Sequence, residues 1–268
     1  MNNVPNTVNI KKPNRTKFWC ITIITTVILA TLYYIAFSQT DLSTRSTSQS
    51  TTQLFLRFVR NPFFDADVRA SVPRYIGLMG ETVAIAYAGT LAGSILAIPF
   101  GFLAAKNVSK GVAPIGKMIL NGIRTFPEIL FAIIFVSAVG MGPYAGVLAI
   151  SVNSVGMLGK LYSEAIEGID MQVVDALKAS GANRLQAMWH GVLPQVIPEF
   201  QSFAVYRYEI DVRASTVLGF VGAGGIGTQL ILDANQRNWE AIGMMLYIIV
   251  ITVIVIDYCS SRIRKRIV

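Results

Sequence analysis

Phe18 to Phe37 runs for 20 residues without a formal charge, and it is the first of six apolar segments, most of them flanked by Lys and Arg. A hydrocarbon core of roughly 30 Å is crossed by about 20 apolar residues wound as a helix. Inside it the backbone finds no water, so each segment must satisfy its own polar groups, which a helix does. The alternating pattern of membrane strands is absent. With 53% hydrophobic residues, 14% charged residues and a mean hydropathy of +0.53, the expected fold class is an all-α polytopic membrane protein with about six transmembrane helices.

Residues 1–17 read as a polar, basic tail holding Lys11, Lys12, Arg15 and Lys17, and residues 18–37 as the first transmembrane helix. A secretory leader also opens on basic residues, and Ala36-Phe-Ser38 faintly resembles a cleavage site. The apolar run is longer than a leader core of about 7–15 residues, so a retained span is expected. Residues 38–74, rich in Ser and Thr at first and carrying Pro62 and Pro73, read as an external loop with a short amphipathic piece around Leu54–Val59. Residues 75–268 read as the main transmembrane domain, with spans near Thr82–Ala105, Ile115–Val139, Ala145–Leu161, Gln195–Val212 and Ala241–Tyr258. Arg124-Thr-Phe-Pro-Glu128 interrupts the second of these, and Gly140-Met-Gly-Pro-Tyr144 makes a tight turn after it.

Six crossings place both termini on one side. That side receives four basic residues in the tail, three after the second span, three at the end of the fourth span and in segment 162–194 (Lys160, Lys178 and Arg184) and four at the C-terminus. The other side has none after the third span, two after the fifth and five in the long first loop. Short loops weigh most in setting orientation. Both termini and segment 162–194 are therefore expected in the cytoplasm of a cell whose plasma or inner membrane holds the chain. The net charge of +8 does not imply nucleic acid, because the Lys and Arg sit at the ends of apolar segments. Cys20, Cys259 and the single His190 make neither an expected disulfide nor an ordinary zinc site. No cofactor is expected on this chain.

Segment 162–194 is polar and well capped. Asp170 suits an N-cap, with Ile169 and Val174 spaced as a hydrophobic staple. Gly181 suits the left-handed residue that ends a helix, and Asn183 with Gln186 reads as a capping pair opening a second one. The expected product is a helical hairpin with Gly181-Ala-Asn183 at its tip, lying on the inner headgroups or gripped by a cytosolic partner.

Asp175 to Pro194 resembles the loop signature of ABC-importer permeases, written Glu-Ala-Ala, three residues, Gly, nine residues, Ile, any residue, Leu-Pro. Ala176, Gly181, Leu193 and Pro194 match in register, while Asp175 stands for Glu, Leu177 for the second Ala and Gly191 for Ile. Arg124-Thr-Phe-Pro-Glu128 is similar to an element of the methionine-importer-like permeases. Ser180-Gly-Ala-Asn183, Gly191-Val-Leu-Pro-Gln195, Val212-Arg-Ala-Ser-Thr-Val217 and Val221-Gly-Ala-Gly-Gly-Ile-Gly227 together look like the phosphonate importer permeases. The resemblance implies one N-terminal span plus a five-helix permease core. It also implies a second permease subunit, identical or closely paralogous, a cytosolic ATPase that uses the ATP, and an extracytoplasmic substrate-binding protein. Asp175, Ala176, Gly181, Ala182, Asn183, Leu193 and Pro194 would carry the ATPase coupling, and phosphite, phosphate or methionine could replace phosphonate as substrate.

Charged residues inside a membrane usually face a partner or a path. Arg124 and Glu128 are spaced for an intrahelical pair or for lining a path, and Asn153 and Ser154 are neutral candidates for the same path. Arg207–Asp211 and Glu209–Arg213 are each spaced to pair, with Arg207 and Arg213 near the outer mouth, and Asp257 is expected beside the terminal Arg cluster. The G-x-G-x-x-G within Val221–Gly227 lacks the strand and βαβ context of a dinucleotide site, so close packing or an anion-holding glycine nest is expected there. No phosphate-binding loop or catalytic constellation is visible, so the chain is not expected to be an enzyme. An ion-coupled transporter using Glu128 and Asp211, and a scaffold that recruits a cytosolic protein, are the rival readings.

Overall fold

The structure, a computed structural model, describes residues 15–39 and 51–267. The basic tail up to residue 14 and the Ser- and Thr-rich stretch 40–50 of the first loop lie outside the described residues. The chain divides into a unit reaching Thr51 and a unit from Thr52 to Val268. In the first, helix α1 (Arg15–Gln39) carries the apolar stretch Trp19–Ile35. Thr25, Thr26 and Thr31 each donate a hydroxyl to the carbonyl four residues back, so these polar side chains are satisfied within the helix.

The second unit opens with α2 (Thr51–Val59) and a single 3₁₀ turn at Asn61–Phe63. Helix α3 (Ala66–Ala104) follows, N-capped by Asp65, whose carboxylate accepts from the amides of Asp67 and Val68. It runs 39 residues with Pro73 and Pro99 inside. The expected boundary at residue 75 therefore falls within one continuous helix, and the span begins well before Thr82. Val68, Tyr75 and Met79 are buried in a cluster with Ile242 and Met245, and this packing carries the helix through the hydrogen bond that Pro73 cannot make.

Helices α4 (Ala113–Thr125) and α5 (Glu128–Val139) meet at 82° across Phe126-Pro127, so the expected span is two helices joined at a sharp bend. Helix α6 (Pro143–Glu167) packs along α3 with its backbone close. Gly89, Gly93, Ala97 and Gly101 recur every fourth residue on α3, the spacing that lets membrane helices approach. A Cβ on Gly93 would stand 2.6 Å from Ser154 Cβ, and one on Gly101 would stand 2.7 Å from Tyr162 Cβ. Helices α7 (Met171–Ala179) and α8 (Arg184–Ala187) form the hairpin. A π-helical turn at Met188–Val192 leads into α9 (Leu193–Leu218). After a bend of 45° come α10 (Ile226–Asn235) and then α11 (Trp239–Ile267).

Among the described residues the fold is all-helical. Three of the described helices (α3, α6 and α11) are long and apolar enough to cross a membrane, or up to five if each bent pair is one span.

Candidate functional site

The hairpin is tied down at its base and open at its tip. Asp170 caps α7 by accepting from the Gln172 amide at 2.9 Å. Its own amide donates to Gln195 Oε1 at 3.0 Å, while Gln195 Nε2 donates to the carbonyls of Gly191 and Asp170, fastening the base to the start of α9. Arg184 donates to the Val108 carbonyl at 2.9 Å, joining α8 to the α3–α4 connection, and Lys117 on α4 pairs with Glu167 at the end of α6 at 2.8 Å. Helix α7 ends in a Schellman turn: the Ala182 amide donates to the Leu177 carbonyl and the Gly181 amide to the Lys178 carbonyl, both at 3.0 Å. Gly181 has φ +89°, the left-handed conformation that glycine adopts without strain. Asn183 and Gln186 form the reciprocal capping box.

The inner face of the hairpin (Val174, Ala187, Val192) is buried with Ile166, Val196 and Phe200. Its outer face leaves large apolar side chains open, with Leu185 66% exposed and Trp189 63% exposed. Asp175, Ala176, Gly181 and Asn183 share this open side, Ala182 and Leu193 are partly buried, and Pro194 is exposed where α9 begins. His190 is exposed on the π turn. Two of the three departures from the loop signature meet: a Cβ on Gly191 would stand 3.0 Å from Leu177 Cδ1. The bulk absent at position 191 is supplied from position 177.

The second polar centre lies within the helices. Ser154 stands roughly 16 Å from the start of α6 and roughly 20 Å from its end at 1.5 Å per residue, close to the middle of the span. There Asp211, fully buried, accepts from Thr90 Oγ1 at 2.7 Å and from Ser154 Oγ at 2.8 Å, and pairs with Arg207 at 2.7 Å. Arg207 also donates to Ser154 Oγ and to Met157 Sδ, and lies 3.5 Å from Glu128 Oε2, which Asn153 Nδ2 holds at 2.9 Å. Helices α3, α5, α6 and α9 thus converge on one guanidinium and two carboxylates.

Four of the expected path residues, Glu128, Asn153, Ser154 and Arg207, come together here, and two do not. Arg124 is exposed on α4 with its stem against Gly156, so no Arg124–Glu128 pair forms; the break at Pro127 turns the two side chains apart. Arg213 pairs with Asp257 at 3.5 Å, and Glu209 pairs with Arg264 at 3.0 Å. The expected Glu209–Arg213 and Asp257–terminus pairs are replaced because α11 passes alongside α9 and offers each side chain a partner. Arg207 lies buried in mid-helix, not at an outer mouth. Thr90 and Met157 carried no sequence signal, since neither is charged and only packing brings them to Asp211 and Arg207.

In the glycine-rich segment, Gly222, Gly224 and Gly225 have positive φ. The Gly225 amide donates to Glu81 Oε1 at 3.1 Å and the Ile226 amide to Thr82 Oγ1 at 2.9 Å. The Gly225 amide thus meets a carboxylate of α3, and the Ile226 amide a neutral hydroxyl of the same helix.

Residues 97–268 match the family described as binding-protein-dependent transport system inner membrane component. The chain is 41% identical over 188 residues to the phosphite transport system permease protein PtxC of Stutzerimonas stutzeri, covering 69% of this chain and 68% of that protein. It is 38% identical over 191 residues to the phosphate-import permease protein PhnE of Mycolicibacterium smegmatis, covering 70% of this chain and 36% of that protein. A chain solved in inward-facing conformations of the MetNI methionine ABC transporter shares the fold, with a TM-score of 0.65 at 21% identity over 76% of this chain and 99% of that one.

Proposed function

The chain belongs to the binding-protein-dependent transport system inner membrane components, and from that premise we propose that it is the permease subunit of an ATP-driven importer of phosphorus oxyanions, phosphonates foremost. The observation that carries the reading is the hairpin: braced on its inner face, closed at its base by Gln195, and presenting Leu185 and Trp189 uncovered at the membrane edge. Uncovered large apolar side chains beside a rigid helical tip suit a partner surface. In this reading a cytosolic ATPase grips the hairpin, a second permease subunit completes the path, and an extracytoplasmic binding protein delivers the anion. Closure of the ATPase moves the hairpin, and the bracing passes the movement to α6 and α9 as a rigid-body rotation that alternates access.

The experiment is uptake of phosphite, methylphosphonate, phosphate and methionine by proteoliposomes containing the assembled importer. ATP-dependent uptake of a phosphorus oxyanion is expected. Uptake driven by a proton gradient without nucleotide would refute the reading. Gly181→Trp tests the coupling role separately. A Cβ there meets nothing within 4 Å, so the cost inside the chain is backbone strain of about 1–3 kcal/mol. The variant should remain in the membrane and lose uptake; normal uptake would overturn the hairpin's role.

A further inference from the structure

The Arg207 guanidinium has five N–H donors, and they are unequally used. Nε donates to Ser154 Oγ at 2.9 Å, and Nη2 lies 2.7 Å from Asp211 Oδ1. Nη1 donates only to the Met157 thioether, a weak acceptor, and the other contact of Nη2 is Glu128 Oε2 at 3.5 Å. One edge of the guanidinium has a hydrogen bond to Ser154 and a close ionic contact with Asp211. The other is held by a sulfur and a distant carboxylate.

The two acids differ in the same way. Asp211 is sealed, with hydroxyls from α3 and α6 on its Oδ2 and the Arg207 ion pair on its Oδ1. The Glu128 side chain is 16% exposed. Its Oε1, like Asp211 Oδ1, has no hydrogen-bond partner among the described residues, but Glu128 lies farther from Arg207 and stands on the first turn of α5, immediately after the break between α4 and α5. Asp211 is a fixed counter-ion and Glu128 a replaceable one.

Charge decides what can replace it. One guanidinium already faces two carboxylates, so an anion entering beside an ionised Glu128 would place three negative charges around one positive charge at low dielectric. Exchanging the Glu128 carboxylate for a singly charged anion leaves the charge facing Arg207 unchanged. A tetrahedral oxyanion offers paired oxygens to a guanidinium fork as a carboxylate does.

We propose that Glu128 is an internal stand-in for the substrate: its carboxylate and a phosphorus oxyanion compete for the same edge of Arg207, and α5 releases α9 when the anion takes its place. This rests on the phosphorus-oxyanion reading above. It makes Arg207 a specificity-determining residue and Glu128 the group that keeps the site filled between substrates.

The test is calorimetric titration of the full chain in lipid nanodiscs with phosphite and with methylphosphonate, alongside uptake by the assembled importer. Glu128→Gln keeps the shape and an acceptor for Asn153 but removes the competing charge. It should bind either anion about tenfold more tightly, as expected when a competitor leaves the site free only about a tenth of the time. Its maximal uptake rate should fall, because nothing then displaces the bound anion. Arg207→Gln combined with Asp211→Asn removes the cation together with its fixed partner and should bind neither anion. Unchanged or weaker binding by Glu128→Gln, binding retained by the double variant, or no binding by any of the proteins would each overturn the proposal. Failure of the wild-type importer to take up any phosphorus oxyanion would instead end the substrate reading itself.

Discussion

Leu177 and Gly191 should behave as one volume divided between two positions. A Cβ on Gly191 would stand 3.0 Å from Leu177 Cδ1 and 3.3 Å from Val174 Cγ2, and isoleucine adds three more carbons to that space. Gly191→Ile alone therefore overpacks the hairpin base, at an expected cost of about 1–3 kcal/mol. Leu177→Ala alone leaves a gap. Leu177 is only partly buried, so its cost belongs near the low end of the ~2–5 kcal/mol range for leucine truncation. Made together, the two changes exchange bulk across the contact and restore the side chains of the loop signature. The double variant should be more stable than the sum of the single effects by about 1–3 kcal/mol. Thermal unfolding of the four proteins in lipid nanodiscs reads this directly, at roughly 2–4 °C per kcal/mol for a chain of this size. Strictly additive shifts would refute the claim that the two departures compensate each other.

Three further outcomes follow from the same geometry. Gly93→Ala pushes a methyl group into Ser154 Cβ and the Ser151 carbonyl at 2.6 and 2.8 Å; separating α3 from α6 should cost about 1–3 kcal/mol, and an unchanged melting temperature would refute the close approach. Asp211→Asn removes the nearer of the two carboxylates beside Arg207 and leaves Glu128, at 3.5 Å, as its counter-ion; the cost should stay below the ~3–5 kcal/mol of a fully unpaired buried charge, and adding Glu128→Gln, which strands the cation, should lower the yield of folded protein in detergent further. Asn183→Ala removes the capping box of α8 at about 1 kcal/mol; faster amide exchange confined to Arg184–Ala187 is the expected result, and exchange spread through α9 would contradict the local nature of the cap.

Much of the hairpin was legible in the sequence because its determinants are local. Asp170, Gly181, Asn183 and Gln186 act on amides and carbonyls within a few residues, and the structure shows each of those bonds. Pro127 likewise marks the break in its span. Pro73 misled, because the apolar contacts of Val68, Tyr75 and Met79 carry α3 through it. The ion pairs were the least legible. Spacing along one helix names Arg207–Asp211 correctly, yet Glu209 and Arg213 turn to Arg264 and Asp257 on α11, and Glu128 turns to α9.

By itself the sequence determined that the chain is helical and apolar enough for a bilayer and where its helices start and stop at the hairpin, because period and capping are properties of adjacent residues. Only the tertiary structure decided which acid faces which cation, that Thr90 and Met157 belong to the buried centre, and that Leu177 fills the space over Gly191. Each of these depends on which helices lie side by side, and a residue's partner across a helix contact is set by the packing of whole faces, not by anything within reach along its own chain.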